Sequence, residues 1–111
     1  MKSISDHINQ KAINEFSSTI KQILGSNVVD IRLFGSVARD TATPESDIDI
    51  LIIVLKEDKL VKEAAINVAV DVNLDYDVVI SPIVMSKEHF MGPLFKETHF
   101  YKSVEREGIS L

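Results

Sequence analysis

The chain has no cysteine and no tryptophan, only three prolines and four glycines, and an aromatic share of 6%. Without thiols there is neither a disulfide framework nor a thiolate metal site. The sparse glycine and proline leave no linker and no low-complexity segment, and no internal repeat is present. No apolar run approaches the ~20 residues that span a bilayer, and the opening MKSISDHINQ lacks the apolar stretch of a secretory signal. A cytoplasmic location without membrane contact is therefore expected. Positive charge is also short: 12 basic against 17 acidic residues give a net charge of −5. Long-range attraction to nucleic acid is disfavoured by that balance, although a cation bound at an acidic cluster would reverse the sign locally.

What is present is an ordinary folding composition, 45% hydrophobic and 26% charged over 111 residues. That length supports a single domain spanning 1–111 with one core, and it leaves no room for a separate substrate domain. A second substrate is thus expected to arrive on a partner, and the sequence leaves open whether the chain forms a homo-oligomer.

Periodicity orders the elements. Ile8, Ala12, Ile13, Phe16, Ile20, Ile23 and Leu24 recur at three- and four-residue spacing, predicting an amphipathic helix over 5–24 that ends at Gly25. Alternation over 28–34 predicts a half-buried strand that delivers Gly35-Ser36 into a short helix over 36–41. The segment 41–45 reads as a loop, because Pro44 bars helix continuation. The apolar run after Asp47 predicts a strand over 47–55 buried on both faces, and helical spacing returns over 59–72. A third strand is read over 76–85, with Pro82 at its end or in a bulge. Ser86 opens a helix start, Gly92-Pro93 breaks it, and a last helix over 94–107 ends at Gly108. The fold class is accordingly α/β (α+β): a small mixed sheet of at least three strands, with helices packed mainly on one face.

The chemistry concentrates in FGSVARDTATPESDIDILIIV, residues 34–54. Asp47 and Asp49 lie two apart on a strand and so share a face, at the mouth of the apolar run. The Gly35-Ser36 turn before a helix start suits a phosphate. Phosphoryl and nucleotidyl transfer use two divalent ions about 3.5–4 Å apart, usually bridged by carboxylates, and hard cations such as Mg²⁺ take oxygen ligands without histidine or cysteine. A third ligand should come from a neighbouring strand. Asp77, placed before Val78-Val79-Ile80, is the first candidate, with Asp75 competing and Asp71 ranked lower as the end of a helix. Arg39 either grips a phosphate or pairs on the surface with Asp40 or Glu45. The three histidines, His7, His89 and His99, have no ligand spacing. The aromatic and apolar group Phe90, Leu94, Phe95, Phe100, Tyr101 and Val104 reads as core before interface, and the charges at 105–107 read as solvent-facing.

Gly35-Ser36, the ten residues 37–46, and then Asp47-Ile48-Asp49 resemble, without a gap, the signature of the DNA polymerase beta nucleotidyltransferase superfamily in its minimal nucleotidyltransferase branch. Arg39, Ser46, the apolar run after Asp49 and the closing VEREGISL resemble the family context, so the similarity covers nearly the whole chain. The resemblance implies a nucleotidyltransferase fold. It further implies that Gly35 and Ser36 bind nucleotide phosphates, with Arg39 a secondary candidate for the same role, and that Asp47, Asp49 and Asp77 form a catalytic triad holding two Mg²⁺ ions with ATP as donor. Many such minimal proteins are antitoxins of HEPN-type toxins, transferring AMP to a toxin tyrosine, and this implies the same partner and role here. Two rivals are a partner of the same fold that neutralises by contact alone, and a subunit that modifies a small molecule.

Overall fold

A computed structural model of the protein describes residues 4–39 and 46–111. Helix α1 (Ile4–Leu24) leads through a 3₁₀ turn (Gly25–Asn27) into β1 (Val28–Phe34), and β1 runs straight into the four-residue helix α2 (Gly35–Ala38). Strand β2 (Ile48–Val54), helix α3 (Lys59–Tyr76) and strand β3 (Ile80–Ser86) follow. The chain closes with α4 (Lys87–Phe90), a second 3₁₀ turn (Phe95–Glu97), α5 (His99–Glu107) and the short strand β4 (Ile109–Ser110). The expected loop over 41–45, and with it Asp40 and Glu45, lies outside the described residues.

The sheet order is β3-β2-β1-β4. Strand β1 pairs antiparallel with both β2 and β4, whereas β2 and β3 are parallel, so the sheet is mixed as expected. A parallel pair needs a crossover, since a tight hairpin cannot return the chain to the same end of the sheet, and α3 supplies it. Pro82 sits within β3, opposite Ile50. Because β3 is an edge strand, a residue without an N–H is tolerated there.

Strand β2 lies in the middle of the sheet, and its side chains alternate between two cores. Ile48, Ile50, Ile52 and Val54 face the larger one, where α1 contributes Ala12, Ile13, Phe16 and Ile20, and α3 contributes Val61, Ala65, Val68, Ala69 and Val72. Leu51 and Ile53 face a smaller core with Phe90 and Val104, edged by Phe34, Met85, Phe95, Phe100 and Tyr101. Full burial of each such aliphatic side chain contributes about 1.5–3 kcal/mol, which makes β2 the best-anchored element. The two longest helices thus cover one face. The aromatic group of the C-terminal third is the second core, with Phe90 and Tyr101 ring centroids 4.9 Å apart.

Three local departures from the expected pattern have identifiable causes. The register of β1 against β2 shifts between Val28 and Asp30, and this bulge leaves Val29 exposed where strict alternation would bury it. Helix α3 runs one turn further than its apolar spacing, and β3 starts at Ile80. Asn73 bridges that junction, accepting from the Ile80 N–H at 2.8 Å. The last helix is split at Thr98, whose hydroxyl caps α5 by accepting from the Tyr101 N–H at 3.2 Å. Among the described residues no helix is long and apolar enough to cross a membrane.

Candidate active site

The site forms where β1 and β2 end side by side. The antiparallel register sets Phe34 against Asp49, so Gly35 begins its turn beside that carboxylate. Gly35 has φ +77, a region that glycine enters without steric cost, and a Cβ at this position would collide with Asp49 Oδ2. Glycine is therefore required twice over, by the backbone and by the packing of the acid against it. The turn sends the chain into α2 with Ser36 in its first turn, and Arg39 caps the end, its N–H bonding back to the Gly35 carbonyl at 3.1 Å.

Asp47 is exposed just before β2, and Asp49 is half-buried one residue into it. By strand parity both acids share the face of Leu51 and Ile53. Burial first, and repulsion from Asp47 second, hold the Asp49 carboxyl above the usual carboxylate range, while Arg39 acts in the opposite direction. Among the described residues neither acid has a salt-bridge partner. Two carboxylates on one strand face, one destabilised by the other, form a donor set that a hard divalent cation fits, because its charge relieves the repulsion and its ligands are oxygens.

The raised Asp49 pKa has a stability consequence whose sign is definite. A carboxyl with folded pKa above its unfolded value contributes fully below the unfolded pKa, and that contribution is lost as pH rises through the folded pKa. At neutral pH, ionised Asp49 therefore opposes folding when no cation is bound. Asp49→Asn is expected to raise the melting temperature of the metal-free protein at neutral pH and to flatten its dependence on pH just above the ordinary carboxylate range. Thermal melts in chelator across that range measure this, and a lower melting temperature for the variant at neutral pH would refute it.

The third acid is not where the sequence pattern put it. Asp77 does not open a strand. It caps the C-terminus of α3 in the left-handed conformation, φ 53 and ψ 49, exposed, with its N–H bonded to the Asn73 carbonyl. The longer helix is the reason, and aspartate is one of the few residues that accept this conformation. Asp71 and Asp75 lie within α3 and are exposed. Among the described residues no three acidic or histidine side chains form a group able to hold a metal ion, so the expected triad of Asp47, Asp49 and Asp77 is not assembled. The neighbour that the parallel ladder places beside Asp49 is Ser81, and its hydroxyl donates to Asp47 Oδ2 at 3.4 Å. Sequence reading missed Ser81 because its parity is fixed only once the start of β3 is known.

Arg39 is also differently engaged. Its Nη1 donates to Glu107 Oε2 of α5 at 3.1 Å, a contact that holds the Glu107 carboxyl below the usual range. The charges at 105–107 are thus not merely solvent-facing: Glu105 likewise pairs with Arg32 of β1. An open groove of about 530 Å³, lined by His89, Pro93, Leu94 and Phe95 among others, includes neither the Gly35-Ser36 turn nor Asp47 and Asp49.

Residues 13–110 match the family model described as "Nucleotidyltransferase domain". The chain belongs to that family. Two similar proteins of Methanocaldococcus jannaschii are the candidate protein adenylyltransferases MJ0141 and MJ0604. The first is 36% identical, the match covering 89% of this chain and 94% of that protein. The second is 37% identical, with 89% and 93% covered. A solved structure of a candidate minimal nucleotidyltransferase superposes with a TM-score of 0.60 over 92% of this chain and 94% of its own, at 22% identity, and so bears on the fold. The nucleotidyltransferase fold read from the sequence is the one observed, and the protein is an enzyme of the nucleotidyltransferase type. In this nucleotidyltransferase, Gly35, Ser36, Asp47 and Asp49 come together at the β1 and β2 ends, with Arg39 one turn behind.

Proposed function

We propose that this nucleotidyltransferase transfers AMP from Mg-ATP to a hydroxyl of a partner protein, a tyrosine of a HEPN-type toxin, and so acts as its antitoxin in the cytoplasm. The observation that carries the reading is the acid pair on the end of a buried strand, packed against a positive-φ glycine turn. The relatives named as candidate protein adenylyltransferases, matched over nearly their whole length, support it further.

In the proposed reaction the acceptor oxygen forms a bond to the α-phosphorus of ATP. The bond from that phosphorus to the β-phosphate oxygen breaks, pyrophosphate leaves with the electron pair, and the hydroxyl proton departs to a base. Asp47 and Asp49 would hold Mg²⁺, which supplies Lewis-acid charge to the phosphate oxygens when bound. Backbone N–H groups of the Gly35-Ser36 turn and the Ser36 hydroxyl donate to phosphate oxygens. Arg39 exchanges the Glu107 carboxylate for a phosphate, an anion better matched to its fork. Position is what these groups contribute most, since orientation of reactants accounts for a large part of such rate enhancements.

Co-expression with the protein encoded beside it, followed by intact mass measurement of that partner, tests the reading. A gain equal to one or more AMP units on the partner is expected. An unmodified partner, together with AMP appearing on a low-mass acceptor, would favour the small-molecule rival.

A further inference from the structure

We propose that the acid site of this chain holds one divalent cation per bound nucleotide, not a bridged pair, because Ser81 stands where the third carboxylate would have to be. The inference rests on the reading of Asp47 and Asp49 as metal ligands.

The parallel ladder pairs Ile48 with Ile80, Asp49 with Ser81 and Ile50 with Pro82. Residues paired in this way point to the same face of the sheet. Packing confirms the parity independently: Ile80 and Val84 join the core that holds Ile48 and Ile52, whereas Met85 joins the opposite core with Leu51 and Ile53. Ser81 therefore shares a face with Asp49, and its hydroxyl donates to Asp47 Oδ2 at 3.4 Å. On the other side, β1 offers Phe34 opposite Asp49 and then Gly35. The acid pair is thus flanked within the sheet by a hydroxyl and a phenyl ring, neither of which carries charge.

Among the described residues, no other acid makes up the difference. Asp71 and Asp75 project from α3 into solvent, Asp77 caps the end of that helix, and among the described residues no group of three forms. Two carboxylates balance the charge of one divalent ion. Two such ions repel four times as strongly as two unit charges at the same separation, and among the described residues these two carboxylates are the only acids grouped at the site, so further anionic ligands for a second ion have to come from the nucleotide's own phosphates. A neutral hydroxyl can orient Asp47 but does not offset a second dication. With one ion committed to the nucleotide, none held by this chain is left for the acceptor oxygen, and selection of the acceptor falls to the geometry of the partner.

The test is equilibrium dialysis of the purified protein with Mn²⁺ and a non-hydrolysable α,β-methylene ATP analogue, counting Mn²⁺ per bound nucleotide. The expected ratio is one for the wild type, one for Ser81→Ala and two for Ser81→Asp, in which the missing carboxylate is restored. In parallel, Mn²⁺ should raise the melting temperature of Ser81→Asp by more than that of the wild type, because the added acid destabilises the metal-free site and is relieved by the ion. A wild-type ratio of two overturns the inference, as does a Ser81→Asp protein that folds and still binds one. If Ser81→Asp does not fold, the wild-type ratio alone decides. Two bound ions with AMP transfer intact would leave the proposed function standing, whereas a wild type that binds no Mn²⁺ overturns the metal-site reading beneath both.

Discussion

Asp47→Asn and Asp49→Asn are each expected to lower AMP transfer from labelled ATP by about a thousandfold or more while leaving the fold intact. Asparagine keeps the shape of the side chain and replaces one anionic oxygen by an amide, so the loss is one of charge. Metal-assisted stabilisation of transition-state charge supplies several kcal/mol, and each ~1.4 kcal/mol is a factor of ten in rate. The fold should tolerate both changes because Asp47 is exposed and Asp49 half-buried, while the packing of β2 is carried by Ile48 and Ile50 to Val54. Circular dichroism and thermal melts check the fold, and the transfer rate checks the chemistry. Full labelling by either variant would remove the metal mechanism. The same proteins separate catalysis from contact: if Asp47→Asn still neutralises the partner in cells, binding alone is the activity.

Gly35→Ala should combine a stability loss of about 1–2 kcal/mol, from a side chain forced into left-handed backbone, with a fall in transfer rate of roughly a hundredfold, the scale associated with displacing a reacting group by about 1 Å. The second effect arises because the new methyl would occupy the space of Asp49 Oδ2. Gly25 provides the control. It too has positive φ, 53°, but a Cβ there meets nothing within 4 Å. Gly25→Ala should therefore cost similar stability and keep the transfer rate. Denaturant melts and initial rates on both variants decide the matter, and equal rates for the two would show that the Gly35 contact with Asp49 does not position the acid.

Much of this architecture was legible in the sequence wherever burial imposes a period. Residues 28–34 alternate and form β1 over those residues, and the apolar run after Asp47 became the central strand because only a strand covered on both faces tolerates such a run. The Gly35-Ser36 turn and the acid pair were legible for the same reason: each is tied to the end of a strongly patterned element. What was hidden depended on junctions. Tyr76 to Val79 contains no glycine or proline, so nothing local marks the helix end; Asp77 takes the left-handed position that glycine usually fills, and Asn73 fixes the turn through contacts that no periodicity announces. Misplacing that boundary by four residues put Asp77 on the strand and hid Ser81. Strand β4, two residues long, has too little chain to display a period, and the partnership of Arg39 with Glu107 joins positions 68 apart in sequence.

The central placement of β2 bears on how the enzyme is timed. Asp49 rises from the strand gripped by hydrogen bonds along both edges and Asp47 immediately precedes that strand, so the backbone of Asp49 is anchored before any nucleotide arrives. Amide hydrogens along this strand belong among the slowest to exchange in the molecule. Whatever slow motion gates turnover must then reside in segments around the site or in the docking of the acceptor, and not in the scaffold that carries the acids.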